Sequence, residues 1–304
     1  MIYTVTLNPS IDYIIHVDSF KEGSLNRSTR EYTNIGGKGI MVSKLLRNIS
    51  VDNTALGFLG GFTGEHIKQW FKEENMKCDF TEVKGNTRIN VKLKSGKESE
   101  INGKGPTVSE KEQQEFIERL KDISEGDTVI VSGSSAPGLD SDILSKIIDI
   151  CISKKADFVV DTTGKALMDS LIKKPLLIKP NIDELGELFN RKFASKEEVV
   201  PYGKECLAKG AKYVIVSMGG DGALFFEGED VYYAPRIEGE LVNSVGAGDS
   251  MLAGFVGCIK NGKTPLESFK YSVASGTATA FSKDIGTYDY IEEMYKKVLI
   301  EKLV

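Results

Sequence analysis

Short apolar runs rich in β-branched residues alternate along this chain with amphipathic stretches of helical length, which restricts the fold more than any other feature. The runs lie at 128–132, 158–161, 176–179 and 213–217. Between them, 109–123, 142–153 and 199–209 carry apolar residues at helical spacing, as crossovers between parallel strands require. The expected fold is α/β, a doubly wound and mainly parallel sheet with helices on both faces and its ligand site beyond the strand carboxyl ends. From 246 onward the pattern turns mainly helical, over 249–261, 265–282 and 288–303. The first hundred residues break the rhythm, because 12–18, 79–83, 90–94 and 98–101 read as short strands separated by turn residues. They predict a small β-sheet lid formed by segments near 11–34 and 79–105, which either covers a cleft or pairs subunits.

A chain of 304 residues, 40% apolar and 27% charged, has room for one large core, and a single domain over 1–304 is expected. A net charge of −5 argues against a nucleic-acid partner but leaves room for a local pocket that takes a small anion. Cys78, Cys151, Cys206 and Cys258 are dispersed, with no metal-site or disulfide spacing, so reduced thiols are expected. No segment approaches the roughly 20 apolar residues of a membrane span. The expectation is a cytoplasmic protein with no membrane partner.

The most informative segment is Asn243-Ser-Val-Gly-Ala-Gly-Asp-Ser250, which runs directly into a helix-like stretch. Amides at a helix entrance lack intrahelical acceptors, and glycine lets backbone approach a phosphate, so Gly246, Ala247 and Gly248 are expected to form an anion hole. Asp249 follows at once, where a carboxylate could take a proton from an acceptor hydroxyl. A plain turn with an acidic cap is the alternative. Ser217, Met218, Gly219, Gly220, Asp221 and Gly222 form a glycine-rich turn after an apolar strand, either bordering a nucleotide or serving as a hairpin. Lys179, Asn181 and Glu184 stand at a strand end before a helix. Asn181 and Glu184 fit a capping box, and they equally fit ligands that hold magnesium through its water shell. Gly37 and Lys38 lie at another helix entrance, and Arg88 is a candidate for bidentate phosphate binding, with Lys92 and Arg27 as helpers.

In order, NPSID near the start, Gly-Gly-Lys-Gly at 36–39, Ser-Gly-Ser at 132–134, Lys-Pro-Asn-x-x-Glu at 179–184, Ser-x-Gly-x-x-Gly at 217–222 and Gly-Ala-Gly-Asp at 246–249 resemble the ribokinase-like, or PfkB, carbohydrate kinases. The resemblance runs from Met1 to the final helices. Segments 85–93 and 100–106 look like those of the family's 1-phosphofructokinase branch, with the tagatose-6-phosphate kinases as near relatives. It implies a ribokinase-like fold, ATP and Mg2+, and a sugar-phosphate substrate: fructose 1-phosphate phosphorylated at carbon 6, or alternatively tagatose 6-phosphate. By the same resemblance Asp12, Gly37, Lys38, Arg88 and Ser134 surround the sugar phosphate. Lys179, the turn 217–222 and Gly248 border ATP, and Asp249 is the catalytic base. A homodimer through the lid is a further expectation. The sequence departs from the family at Met41, where the usual asparagine bonds a sugar hydroxyl, and at Ser135–Ala136. Met41 motivates a competing reading, a catalytically weak sugar-phosphate sensor, and predicts that Met41→Asn restores a hydrogen bond.

Overall fold

The computed structural model describes residues 1–303. The strands are β1 (Ile2–Thr6), β2 (Ser10–His16), β3 (Arg30–Gly36), β4 (Asn53–Leu59), β5 (Lys77–Glu82), β6 (Arg88–Ser95), β7 (Lys97–Asn102), β8 (Thr128–Ser132), β9 (Asp157–Asp161), β10 (Leu177–Ile178), β11 (Tyr213–Ser217), β12 (Ala223–Glu227), β13 (Asp230–Ala234) and β14 (Glu301–Lys302). The helices are α1 (Lys38–Asn48), α2 (Gly61–Glu73), α3 (Glu110–Arg119), α4 (Ile143–Ser153), α5 (Gly164–Leu171), α6 (Ile182–Phe189), α7 (Lys196–Ala208), α8 (Ala247–Lys260), α9 (Pro265–Ala280) and α10 (Tyr288–Lys297).

The large sheet has the order β14-β13-β12-β11-β10-β9-β8-β1-β4-β5. Pairing is parallel from β5 through β11 and antiparallel from β11 to β14. Its central strands are apolar on both faces, as burial between two helical layers demands. On β8, Val129 and Val131 enter one core cluster while Ile130 enters the other. On β11, Val214 and Val216 face the first, and Tyr213 and Ile215 face the second. Each such buried side chain contributes about 1.5–3 kcal/mol, so the two layers fix the register of every strand end around the site.

The small sheet, β3-β2-β6-β7, stands apart from the large one. Ile11 and Ile35 anchor its near end in a third cluster with Ile40, Leu59 and Phe71. Two expectations need correction. The strand expected at 79–83 is β5, which pairs in parallel with β4 at the edge of the large sheet, so the lid strands are β2, β3, β6 and β7. A short strand of mixed polarity before a hairpin looks alike in either sheet, and only the pairing with β4 assigns it. The helix expected over 288–303 ends at Lys297, where Val298 turns extended. Tyr232 and Tyr233 of β13 then pair with Lys302 and Glu301. Among the described residues no helix is long and apolar enough to cross a membrane.

Candidate active site

Parallel strands point their carboxyl ends the same way, and Thr6, Ser132, Asp161 and Ser217 each end one, with Lys179 just past β10. Beyond these ends opens a cavity of about 780 Å³, lined by Lys38, Lys179, Asn181, Glu184, Ser217 and Asp249 among others. That volume suits a small-molecule ligand. Val273, Gly276, Ala280 and Phe281 give one wall an apolar face, while Gly219, Gly220, Gly222 and Arg236 border the other.

The floor is the N-terminus of α8. Gly246 caps it at φ 80°, a left-handed conformation that disfavours any residue with a Cβ, and no side chain caps the helix. Among the described residues the amides of Gly246, Gly248 and Asp249 have no protein acceptor, whereas Ala247 donates to the Ser244 carbonyl at 3.3 Å. The expected hole of 246–248 therefore keeps two of its amides and gains that of Asp249. Unpaired amides and the helix dipole together favour an anion.

Three charged groups converge above this floor. Lys38, at the start of α1, donates to Asp161 Oδ2 at 3.1 Å, and Lys179 Nζ lies 3.9 Å from Asp161 Oδ1. Lys179 and Asp161 are both buried. Burial works against the charge on Lys38, but Asp161 and then Asp249 outweigh it and hold the ammonium above its ordinary value. Asp249 is 9% exposed, and burial, reinforced by the negative charge of Asp161, pushes its carboxyl up to about 7. A carboxylate whose affinity for protons is tuned to neutrality can accept one in catalysis. Sequence reasoning missed Asp161. Its signal was an acid closing the apolar run DFVVD of β9, where a parallel sheet presents its ligand face.

Asn181 and Glu184 do form the capping box: Asn181 Oδ1 accepts from the Glu184 amide and Glu184 Oε2 from the Asn181 amide, each at 2.8 Å. Both also line the cavity. Glu184 Oε1 has no protein hydrogen bond among the described residues, and no group of three or more His, Cys, Asp or Glu there could cage a metal.

The pleat of the small sheet sorts its residues by chemistry. Register places Asp12 opposite Asn34 and Asn90, so Asp12, Asn34, Arg88, Asn90 and Lys92 share one face. Asp12 Oδ1 accepts from Ser10 Oγ and Asn90 Nδ2, both at 2.8 Å, and Lys92 Nζ is 4.0 Å from Asp12 Oδ2. Arg88 donates to the carbonyls of Asn8 and Gly103 at 3.1 and 3.4 Å. Burial lowers its guanidinium from the ordinary value, with Asp12 opposing. A side chain on Gly36 would strike Ser10 and Asp12, which ties this polar face to the Gly37–Lys38 entrance of α1. Asn90, whose Oδ1 also accepts from the Gly103 amide at 3.1 Å, is a second residue that sequence reasoning passed over.

Other expected residues do not line this cavity. Met218 is buried in the core, Asp221 is exposed, and neither lines the cavity, because the turn after β11 is a hairpin that presents only its glycines. Ser134 and Arg27 are exposed. Met41 packs against the apolar cluster that includes Met251 and Leu252 and does not line the cavity.

The sequence pattern of the pfkB family carbohydrate kinases matches residues 5–289. The chain belongs to this family. A 1-phosphofructokinase of Bacillus subtilis strain 168 is 50% identical over 303 residues, covering 100% of both chains. A D-tagatose-1-phosphate kinase of Bacillus licheniformis is 38% identical, again over 100% of each. The crystal structure of phosphofructokinase-2 from Escherichia coli in complex with substrates and products has a TM-score of 0.92 and 28% identity, covering 97% of this chain and 98% of that one.

Proposed function

We propose that this kinase transfers the γ-phosphoryl group of ATP to the carbon-6 hydroxyl of fructose 1-phosphate, giving fructose 1,6-bisphosphate and ADP. The observation that carries the chemistry is Asp249, buried at the first turn of α8, lining the cavity and held near neutrality. Its carboxylate takes the hydroxyl proton as the oxygen bonds to the γ-phosphorus. The bond from that phosphorus to the β–γ bridging oxygen breaks, and the electron pair leaves on ADP. The amides of Gly246, Gly248 and Asp249 hold the transferring group in place, and Lys38 and Lys179 offset its charge. Arg88 recognises the phosphate already on the sugar, and Asp12, oriented by Ser10 and Asn90, accepts from a sugar hydroxyl.

Asn181 and Glu184 would hold Mg2+ through its water shell. One amide and one carboxylate suit an ion that keeps several waters and completes its shell with phosphate oxygens. When bound, Mg2+ neutralises charge on the phosphates of ATP. We further propose a homodimer through the small sheet, because the face opposite Asp12 is apolar. Ile89 and Ile101 are exposed there, beside Val91 and Leu93.

Full-length similarity to a 1-phosphofructokinase favours fructose 1-phosphate, and similarity to a D-tagatose-1-phosphate kinase supports its carbon-4 epimer as the second reading. ADP release measured side by side with fructose 1-phosphate, tagatose 1-phosphate and tagatose 6-phosphate decides. A higher kcat/KM for either tagatose phosphate would overturn the assignment, and tight sugar-phosphate binding without ADP release would favour a sensor.

A further inference from the structure

The segment Gly246–Ser250 carries both the unpaired amides and Asp249, yet no side chain caps it. Internally it closes through the Ser250 amide donating to the Gly246 carbonyl at 2.8 Å. From outside, its Ser250 end is held by one residue of the last turn of α9. Thr279 Oγ1 donates to Ser250 Oγ at 2.8 Å and accepts from the Gly286 amide at 3.0 Å. Thr279 Cγ2 lies 4.0 Å from where a Cβ of Gly246 would stand, so its methyl borders the space that the glycine leaves open. Thr279 and Ser250 are 1% and 0% exposed, and neither lines the cavity. The chain of contacts continues, since the Gly286 carbonyl accepts from Asn48 Nδ2 at 2.9 Å, at the far end of the helix that begins with Lys38.

One hydroxyl meets two demands together: a donor for Ser250 and an acceptor for the Gly286 amide. We propose that Thr279 is a positioning residue for phosphoryl transfer, clamping the Gly246–Ser250 turn so that Asp249 and the free amides keep their alignment on the reacting hydroxyl and phosphoryl group. The inference rests on Asp249 being the base. Thr279 touches neither substrate, so its loss shows in turnover rather than in binding.

Thr279→Val keeps the branched shape and removes the hydroxyl, leaving Ser250 Oγ and the Gly286 amide without their partner. Loosening the turn by a fraction of an ångström to about 1 Å lowers kcat roughly ten- to a hundredfold. The KM values for ATP and sugar phosphate stay within about twofold. Thr279→Ser, which keeps the hydroxyl, retains kcat within about threefold. Wild-type kcat in Thr279→Val, a loss expressed in KM, or an equal kcat loss in Thr279→Ser overturns the proposal. Where Thr279→Val is too unstable to assay, Ser250→Ala removes the same bond from its other end; a stable Ser250→Ala enzyme with wild-type kcat is equally decisive against it. Asp249→Asn, assayed in parallel, separates the two readings. If it turns over normally, the base assignment falls and the inference with it. If it is inactive while Thr279→Val is fully active, only the clamp is wrong.

Discussion

Lys38 Nζ is 3.1 Å from Asp161 Oδ2, joining the entrance of α1 to the end of β9. This pair also governs Asp249, whose affinity for protons Asp161 raises and Lys38 lowers. In Asp161→Asn the like charge is gone and Lys38 loses its partner, and both changes favour ionised Asp249. The acidic limb of the kcat–pH profile should therefore move to lower pH, while maximal kcat falls because Lys38 and Lys179 are no longer held together. A limb that stays in place or moves to higher pH would contradict this electrostatic account.

For the wild type, a base held up to about 7 predicts that kcat rises about tenfold per pH unit below that value and levels off above it. Asp249→Asn should lower kcat by about two to four decades and abolish the limb.

The same shift predicts a stability effect. The folded-state value of Asp249 lies above its unfolded value, so the stabilisation is complete below about 4 and is lost as pH rises through about 7. Permanently neutral Asp249→Asn should therefore melt above the wild type, by at least about 2 °C near pH 8.5, with the difference shrinking toward about pH 5. Melting curves at the two pH values check the sign.

Gly246 and Gly248 should fail differently. A Cβ on Gly246 demands a left-handed backbone and lies 2.8 Å from Ile285 Cδ1, so Gly246→Ala should cost about 1–2 kcal/mol of stability as well as activity. On Gly248 the Cβ meets only Lys179, Nζ at 3.1 Å and Cε at 3.8 Å, the end of a long side chain. Gly248→Ala should keep its melting temperature and lose turnover. Melting curves alongside kcat test the contrast.

Arg88→Ala should raise KM for fructose 1-phosphate at least about tenfold while leaving KM for ATP nearly unchanged. Equal weakening of both would make Arg88 a structural brace of the lid through Asn8 and Gly103.

The sequence by itself determined the periodicities, the glycines and the order of the motifs. Alternating β-branched runs and amphipathic stretches specify a buried parallel sheet because only that arrangement buries strands on both faces. Gly-Ala-Gly-Asp before a helix marks a candidate anion site because most amides of a helix's first turn lack intrahelical partners wherever the helix packs. What depends on distant segments meeting was decided by the tertiary structure. Asp161 joins Lys38 and Lys179 through packing between β9, α1 and the end of β10, and sequence spacing does not encode that meeting. Strand 77–82 has the mixed polarity of an edge strand in either sheet, and the edge of β4 captured it. Met41, half-buried on α1, packs against the cluster that includes Met251 and Leu252 of α8. A helix has one buried stripe, and which residues fill it depends on the helix packed against it. That is a property of the folded neighbourhood, which no local pattern in the chain contains.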